Sequence, residues 1–318
     1  MKKKARMRIG IVGAGVAGLT VARLLKEAGH NITIIDKGRH PGGRLTTRDK
    51  GHGKFDHGAL KFNARSEEFK EALDVWLQQG YAQPVQYPGE EAGWFEPVPC
   101  ARDLAQTMAL GLGVKVATEV TSLERDNGRW RIRAGNQSWD GFDAVVLNPP
   151  VPQTLKLLPS NHVFVSRLKP IEYDATWAMT LVLAARDGFL DVPFTKVDSG
   201  DISMVVMEGL RNGRTDDGPW ARVLVHASHS FSNAFLESGE ELVKERLIKA
   251  FEERFGEVKV LYVSVHRWRY ARVKNPLGER HLWDPDLKLG IVGDMMLGSR
   301  IESAYLSGYS LAQEFLNG

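Results

Sequence analysis

The hydrophobic pattern begins with two short apolar runs that are separated by glycines. Ile9–Val12 leads directly into Gly13, and Ile34-Ile35 leads directly into Asp36. Short apolar runs bounded by glycine or by a polar residue are typical of buried strands. The pattern up to Asp36 therefore predicts a strand, a tight turn, a helix and a second strand.

Later apolar spacings predict further helices. One predicted helix starts at Ser66 and stops at Gly80, and its shared apolar face holds Phe69, Leu73, Trp76 and Leu77. Ser238 and Glu241 have the spacing of a capping box. The helix that they predict would bury Leu242, Leu247, Ile248 and Phe251. Residues 81–100 are rich in proline, glycine and aromatic residues and are predicted as a loop.

Alternation and apolar runs predict the remaining strands. Val114–Ala134 alternates like a hairpin that turns at Asp126–Gly128, and Phe142–Leu147 returns to the first sheet. A turn is also expected at Asp216–Gly218. The strands of a separate sheet are predicted at Ala175–Ala184, Ile202–Met207 and Arg222–Ser228. The fold class is therefore α/β, with a second, mostly antiparallel sheet.

The stretch Gly13–Gly18 has the spacing GxGxxG of dinucleotide-binding turns. Gly13 allows the tight turn, Gly15 lets the backbone approach a pyrophosphate, and Gly18 lets the helix pack closely on the sheet. The helix N-terminus offers N–H groups and a partial positive charge to phosphates. Asp36 is placed to accept hydrogen bonds from ribose hydroxyls. Further cofactor contacts are expected at Ala14, Val16, Ala17 and Lys37.

Two more segments favour FAD as the dinucleotide. Gly42-Gly43-Arg44 lies where flavoproteins of the glutathione-reductase type add a second phosphate contact; a solvated basic turn is the alternative. Leu289–Asp294 predicts a late strand ending in Gly-Asp, and Arg300 opens a helix whose positive end would favour a negatively charged reduced flavin. Contacts are expected at Gly43, Arg44, Leu45, Gly293, Asp294, Arg300, Ile301, Glu302 and Ala304. Neither His nor Cys directly precedes that helix, so noncovalent FAD is expected.

Together these segments resemble the renalase family, a branch of the flavin-containing amine oxidase superfamily. The matching stretches run nearly end to end, and the block His266–Ala271 is the most diagnostic, because it does not belong to flavoproteins generally. The others include Phe55–Ala59, Asp174–Ala178, Leu224–Ser228 and Arg300–Gly308. The resemblance implies a Rossmann-like FAD-binding domain of the amine-oxidase type, residues 1–65, 100–150 and 266–318. It implies a substrate domain of residues 66–99 and 151–265.

The resemblance also implies an activity. Dihydronicotinamide isomers reduced at the 2- or 6-position would be oxidised to NAD(P)+, with hydride passing to flavin N5 and O2 reoxidising the flavin to give hydrogen peroxide. Further cofactor contacts are implied at Gly58, Ala59, Leu60, Val120 and Asn148. The preferred isomer, the phosphorylation of the dinucleotide and the oligomeric state stay open.

The chain departs from the family pattern around the expected flavin ring. It reads Gly58-Ala-Leu60-Lys61-Phe62 where many relatives have Gly-Ala-Gln-Tyr-Phe. Met295–Leu297 stands where relatives often have a Trp, and Asn148 is followed by two prolines instead of a small-residue turn. The cofactor frame is therefore expected to transfer better than the substrate pocket.

Four residues are candidates for catalytic or substrate contacts, and each has a structural alternative. His266 and Trp268 follow the apolar run Val258–Val265 at a predicted strand end; the alternative is packing between the domains. Lys61 is expected either to approach flavin N5, where it could hold a water, or to be a surface lysine of an alternating strand. Trp177 either borders the pocket or belongs to the core.

Two other functions stay open. An amine oxidase or a desaturase-like enzyme could share the frame, and an amine oxidase is expected to enclose its amine nitrogen between two facing aromatic side chains. Met295-Met296 weakens one position for such a wall. A flavin-holding protein with little turnover would instead bind a flavin that no small donor reduces.

Composition and charge narrow the classes of protein to which the chain could belong. The 318 residues are 43% hydrophobic and 25% charged, as in ordinary globular proteins. The net charge of +3 is too small to indicate nucleic acid, and the single Cys100 excludes an internal disulfide and a cysteine metal cluster. Met1–Arg8 is interpreted as a short solvated tail, and no apolar stretch is long enough to span a membrane. We expect a cytoplasmic protein without a metal, whose partners are a small-molecule substrate and O2.

Overall fold

The structure is a computed structural model that describes residues 5–49, 51–87, 89–184, 191–215 and 218–317. Residues 1–4 of the predicted tail lie outside the described residues, as do Asp216 and Asp217 of the predicted turn.

The helices and strands follow one another along the whole described chain. Up to residue 150 they are β1 (Arg8–Val12), α1 (Val16–Glu27), β2 (Asn31–Ile35), β3 (Arg48–Asp49), β4 (Lys54–Phe55), β5 (Phe62–Asn63), α2 (Glu67–Gln78), β6 (Ala82–Val85), β7 (Trp94–Pro97), α3 (Ala101–Ala109), β8 (Ser122–Asp126), β9 (Arg129–Ala134), β10 (Gln137–Phe142) and β11 (Ala144–Leu147). After residue 150 they are α4 (Val151–Leu157), α5 (Val163–Leu168), β12 (Tyr173–Leu183), β13 (Phe194–Lys196), β14 (Ile202–Met207), a 3-10 turn (Glu208–Leu210), β15 (Ala221–Ala227), α6 (His229–Ala234), α7 (Glu240–Phe255), β16 (Val260–Val273), β17 (Leu282–Asp284), β18 (Leu289–Ile291), α8 (Asp294–Leu297) and α9 (Ile301–Asn317).

The first sheet has the strand order β17-β18-β11-β1-β2, and β1, β2, β11 and β18 run parallel. Helices α1, α2, α3 and α9 supply the apolar residues on one side of this sheet. Trp130 and Ile132 of the three-stranded sheet β10-β9-β8 supply apolar residues on the other. Because both faces are covered, Ile9 and Ile11 of β1 are fully buried.

Two helices are fixed on the first sheet by close contacts. A Cβ on Gly308 of α9 would lie 2.3 Å from the carbonyl oxygen of Ala17, so the two helix backbones touch. The predicted helix after Ser66 is confirmed, and it packs Phe69 and Trp76 into the same core. Residues 67–78 were predicted in the substrate domain, but they pack with the dinucleotide sheet.

The second sheet has the order β13-β14-β15-β12-β16, and all its neighbours are antiparallel, which confirms the predicted fold class. Helices α6 and α7 cover one face. The predicted strand end before His266 is wrong: β16 continues to Val273 and stays paired with β12. The predicted domain boundary at residue 266 therefore falls inside one strand.

Two local predictions are also wrong. The segment predicted as a loop contains β6 and β7, which form a small sheet with β5; Pro84 is tolerated because β6 is an edge strand. Helix α7 begins after Gly239 without a side-chain cap, so Ser238 and Glu241 do not form the capping box. Val243 takes the buried position predicted for Leu242, which is 41% exposed.

The predicted hairpin turn at Asp126–Gly128 is confirmed, between β8 and β9. The first residues of the predicted hairpin pair elsewhere: Lys115 forms a bridge with Ile35 at the end of β2. In the described part of the chain, no helix is both long enough and apolar enough to cross a membrane.

Candidate functional site

The glycine turn lies at the carboxyl end of the central strand β1. Gly13 has a φ of +97°, and a Cβ on Gly18 would lie 2.3 Å from the Gly13 carbonyl oxygen. Gly15 precedes α1 without a side-chain cap, so N–H groups of the first helical turn are available to an anion. The side chains of Ala14, Val16 and Ala17 are buried. These three residues can therefore offer a ligand only their backbone.

Asp36 is fixed beside this turn by two backbone donors. Its Oδ2 accepts a hydrogen bond from the Ala14 N–H at 2.6 Å, and its Oδ1 accepts one from the Gly38 N–H at 2.6 Å. The carboxylate thus lies at the edge of the parallel sheet where ligands bind in such folds. Lys37 is exposed, and Val120 is partly buried against the core on the other side of the sheet.

Asn148 connects three strand ends at the same edge. Its Oδ1 accepts from the Gly18 N–H at 3.2 Å, and its Nδ2 donates to the Val292 carbonyl at 3.1 Å. A Cβ on Gly15 would lie 2.8 Å from the same Oδ1. The Asn148 side chain therefore fills the space beside the turn that a larger residue at Gly15 would need.

Arg44 and Asp294 meet directly, although 250 positions separate them. The guanidinium donates to Asp294 Oδ1 at 2.6 Å and to the carbonyls of Tyr270 and Ala271 at 3.2 and 2.9 Å. Burial alone would lower the pKa of Arg44, but the Asp294 carboxylate raises it, so the guanidinium stays charged. The two segments predicted to hold the cofactor from opposite ends of the chain therefore lie side by side.

The glycine-rich loop after Asp36 lies against the phosphate turn. Gly15 and Gly42 form a bridge, and a Cβ on Gly43 would lie 3.6 Å from the Gly15 Cα. Gly58 packs on Arg44, since a Cβ there would lie 2.0 Å from the Arg44 carbonyl oxygen. These bare backbones form a cradle that a Cβ would fill, and together with the α1 N-terminus they fit a dinucleotide.

Not every predicted cofactor residue points to this cradle. Glu302 accepts hydrogen bonds from the N–H groups of Arg65 and Ser66, at 2.8 and 2.7 Å. The carboxylate of Glu302 is therefore occupied by the N-terminus of α2, so the predicted cofactor contact of Glu302 would have to come from its backbone. Leu45 and Ile301 are buried in the first core and can offer only backbone, whereas Ala59 and Ala304 pack partly exposed on that core.

The remaining predicted residues lie around the same loops. Gly293 has a φ of +152°, and its N–H donates to Ser307 Oγ at 3.0 Å. Arg300 is exposed just before α9. Leu60 packs under Trp268, in an apolar cluster on the second sheet.

Two histidines share one row across the second sheet. His226 of β15 and His266 of β16 both pair with Ala178 of β12, so their side chains point to the same face. His57, from the loop before Gly58, packs on this row: its ring lies 5.0 Å from that of His266 and 5.3 Å from that of Trp268. The Trp268 Nε1–H donates to the His57 carbonyl at 2.7 Å.

All three imidazoles are held uncharged at neutral pH. Burial and neighbouring positive charge lower the pKa of His57 to about 2 and that of His266 to about 4, and burial lowers that of His226 to about 4. His57 Nδ1 and His226 Nε2 are buried without a hydrogen-bond partner in the described part of the molecule. Buried polar atoms without a partner are rare in folded proteins, and a bound ligand or water would satisfy these two.

The tautomer of His266 is fixed by Arg48. The guanidinium can only donate, so the 2.8 Å contact makes His266 Nδ1 the acceptor and leaves the proton on Nε2. Among the described residues, Nε2 has no partner of its own. His266 therefore offers a single oriented N–H donor.

Lys61 is already engaged. Its ammonium lies 2.7 Å from Glu90 Oε2, 3.2 Å from the centroid of the Tyr87 ring and 3.9 Å from that of the Trp94 ring. Burial lowers the pKa of Lys61, and Glu90 only partly offsets this. Neither predicted alternative describes it: Lys61 is not a free surface lysine, and its ammonium is not free to hold a water.

The predicted pocket role of Trp177 is wrong. Because neighbouring residues of a strand face opposite sides, Trp177 points away from the row of Ala178. It is 1% exposed in the core under α6 and α7, where its Nε1–H donates to the Phe235 carbonyl at 3.1 Å. The structural alternative is the one observed.

Sequence reasoning missed a buried ionic network beside the His57 loop. Arg211 donates to Glu96 at 2.9 Å, to Asp56 at 3.1 Å and to the Leu60 carbonyl at 3.2 Å. The Asp56 N–H donates to Glu208 at 2.8 Å. The side chains of Arg211, Asp56 and Glu208 are 0% exposed. Asp56, Glu96 and the pair Glu208 and Arg211 come from three distant parts of the sequence, so no local pattern could have indicated the network, which fixes residues 56–60.

Comparison with known proteins agrees with this arrangement. A family model described as an NAD(P)-binding Rossmann-like domain matches residues 11–76. Renalase of Mus musculus is 23% identical over 86% of this chain and 87% of its own length. A structure of a candidate protoporphyrinogen oxidase from Exiguobacterium sp. has a TM-score of 0.81 at 11% identity, covering 99% of this chain and 100% of that one. Cyclohexylamine oxidase from Brevibacterium oxydans has a TM-score of 0.72 at 12% identity, covering 98% and 100%.

The structural matches show the fold alone, and the sequence match extends along nearly the whole chain. The structural matches confirm the predicted fold class. The sequence relatives, renalase over most of the chain and an L-amino-acid oxidase of Siganus canaliculatus over 62 residues, confirm the coarse prediction of a flavin-dependent oxidoreductase. The chain is similar to renalase, as its motifs predict.

Proposed function

We propose that the protein is a renalase-like FAD-dependent oxidase that converts 2- or 6-dihydro isomers of NAD(P)H to NAD(P)+. The observation that carries the proposal is the uncharged face formed by His57, His226, His266 and Trp268 next to the dinucleotide cradle. Oxidation of a dihydropyridine yields a cationic pyridinium. The imidazoles add no positive charge that would repel this product, and the Arg48 guanidinium contacts His266 at Nδ1, on the opposite side of the ring from the Nε2–H.

The cradle residues would hold the cofactor. The turn from Gly13 to Gly18 would bind the pyrophosphate, Asp36 the ribose, and the loops of Arg44 and Asp294 the far half of the molecule. When bound, FAD supplies the acceptor for the hydride that the dihydropyridine loses, and the same two electrons, with that hydrogen and one further proton, reduce O2 to H2O2.

One strand connects the proposed substrate face with the loops proposed to hold that half of the cofactor. Arg44 is bonded to the carbonyls of Tyr270 and Ala271 in β16, and His266 lies four residues earlier in the same strand. At a rise of at most about 3.3 Å per residue, the two points are no more than about 13 Å apart, and the irregular pairing of β16 between Trp268 and Arg272 shortens this distance. This distance suits a substrate that lies between His266 and the cofactor loops.

Two side chains of this face would orient the dihydropyridine. The His266 Nε2–H is a fixed donor for a carbonyl such as a carboxamide oxygen. The Trp268 ring, held by its bond to the His57 carbonyl, offers an apolar surface on which a flat ring can pack. Hydride loss from a dihydropyridine leaves no proton to remove, so the site needs no charged base.

The amine-oxidase alternative gains no support from the aromatic residues. Two rings do enclose an amine nitrogen, those of Tyr87 and Trp94, but the nitrogen belongs to Lys61. A free amine would have to displace that side chain.

The test is an anaerobic stopped-flow record of flavin absorbance after mixing with 2- or 6-dihydro-NAD(P), with 4-dihydro-NADH and simple amines as controls. Rapid bleaching by an isomer alone is expected. Bleaching by amines alone would overturn the proposal in favour of an amine oxidase. If no donor bleached the flavin, the remaining function would be that of a flavin-holding protein with little turnover.

A variant assigns the role of His266. His266→Ala is expected to slow flavin reduction at least tenfold, since removing an oriented donor costs more than about 1.4 kcal/mol in such sites, while flavin stays bound. The matched control is His281→Ala, which removes a half-buried histidine bonded to Ser310 in the first domain. If flavin were reduced at the same rate in His266→Ala and His281→Ala, His266 would have only a packing role.

A further inference from the structure

Lys61 occupies a site that has the chemistry of an ammonium receptor. We propose that Tyr87, Trp94 and Glu90 form a binding site for alkylammonium groups, and that the Lys61 side chain fills this site and excludes free organic cations from it. Lys61 is in this view a specificity-determining residue. The inference does not depend on the proposed oxidation of dihydronicotinamides.

The three partners of the ammonium account for its recognition. Cations interact favourably with aromatic faces within about 6 Å of the centroid. The Lys61 nitrogen lies 3.2 and 3.9 Å from the Tyr87 and Trp94 centroids, well inside that range. Glu90 supplies the opposite charge at 2.7 Å. A neutral alkyl group of the same shape would lose all three attractions.

The walls of this site are held in place without Lys61. Tyr87 is 2% exposed, and its ring stacks on that of Phe194 with centroids 4.2 Å apart. The Arg211 guanidinium lies 5.4 Å from the Phe194 centroid and belongs to the buried ionic network. Trp94 is paired into the small sheet of β5, β6 and β7. Truncation of Lys61 should therefore leave an open site and an unpaired Glu90 carboxylate.

The lysine competes well because it is tethered. A group attached by a short flexible chain acts at an effective concentration in the millimolar range or above. A free amine at lower concentration is therefore excluded. The site adjoins the apolar cluster that also includes Leu60 and Leu224 and packs against Trp268, so the exclusion operates on the same sheet face as the imidazole row.

Truncation and refilling test the proposal. Lys61→Ala removes a propylammonium equivalent, and calorimetry of the flavin-loaded variant is expected to show n-propylammonium binding at least tenfold more tightly than to the unsubstituted protein. n-Propanol, which has the same length and no charge, should not bind. Adding Trp94→Leu to Lys61→Ala should weaken propylammonium binding at least tenfold.

Either of two results would overturn it: equal binding of propylammonium and propanol, or no gain over the unsubstituted protein. These experiments measure binding and not turnover, so failure of the proposed oxidation would not affect them.

A measurement on the unsubstituted protein covers the case in which Lys61→Ala does not fold. Acylation by an amine-reactive reagent, followed by peptide mass spectrometry, is expected to modify Lys61 at least tenfold more slowly than Lys196. Lys196 is a suitable control because it is also ion-paired, to Asp198 at 3.3 Å, but is 64% exposed. Equal acylation rates would contradict a filled and closed site.

Discussion

Replacing Arg211 with methionine tests whether the buried ionic network positions the His57 loop. The substitution keeps most of the side-chain volume and removes the donors to Glu96, Asp56 and the Leu60 carbonyl. Arg214, 4% exposed, would remain as the other guanidinium of the network, contacting Asp56 and Glu208. Glu96 would lose its charged partner in a position that is 1% exposed.

The expected cost follows from this burial. Removing one partner of a buried ion pair typically costs about 3–5 kcal/mol, because the charge that stays behind is neither solvated nor paired. The free energy of unfolding of natural proteins is about 5–15 kcal/mol. Arg211→Met should therefore remove a large part of the stability. A surface pair such as Arg269 and Glu237, 37% and 72% exposed, contributes far less, because water and salt screen its charges.

Urea unfolding followed by circular dichroism compares Arg211→Met with Arg269→Met at pH 7 and pH 5. Burial alone would raise the pKa of Asp56, but Arg214 and Arg211 lower it, so the arginines stabilise the ionised form. Without Arg211, the Asp56 carboxylate can take up a proton at higher pH in the folded state. The stability difference from the unsubstituted protein should therefore narrow as the pH falls. A cost below 1 kcal/mol for Arg211→Met, or a difference that widens at pH 5, would refute the reasoning.

Three further predictions concern the cofactor turn, the core and pH. Gly15→Val should purify without flavin, because the new side chain meets Asn148 and keeps the phosphates away from the backbone of the turn. The control Gly239→Val, whose side chain would enter open space, should purify with flavin. A yellow Gly15→Val protein would refute the placement of the pyrophosphate at this turn. Trp177→Phe should cost at least about 1 kcal/mol in urea unfolding, through the lost hydrogen bond and the cavity beside the smaller ring, and should leave the flavin reduction rate unchanged. A tenfold slower rate would mean that Trp177 belongs to the substrate site after all. Lowering the pH from 7 to 5 should destabilise the protein by up to about 1.4 kcal/mol per pH unit for each of His57 and His226. The reason is that these histidines take up protons near pH 6.5 in the unfolded state and only at lower pH in the folded state. An equally steep loss of stability in His226→Asn would contradict this.

The cofactor cradle was predictable because its signals are local. A strand, a glycine turn and a helix that follow one another leave little freedom in where Gly13, Gly15 and Asp36 lie. No single motif predicts the contact between Arg44 and Asp294. It followed from placing both segments at the carboxyl edge of one parallel sheet.

The substrate face was less predictable because its strands carry no clear alternation. Central strand β12 is buried on both faces from Ala175 to Leu183, so hydrophobicity does not tell which side Trp177 faces. The charged residues of β16 were read as the end of a strand, although pairing with β12 continues through Arg272. The buried ionic network was invisible for a related reason: single charged residues are normally exposed, and only the tertiary fold brings these together.

The contact between Arg44 and Asp294 also constrains when the protein can acquire its cofactor during synthesis. Strand β18 completes the parallel part of the first sheet beside β11, and α9 packs on α1 through Gly308. A nascent chain that has reached only residue 288 contains the glycine turn but lacks strand β18 and helix α9. Stable loading is therefore expected only after residues 289–308 have left the ribosome, so the domain that holds the glycine turn is completed only after the strands of the second sheet have been made.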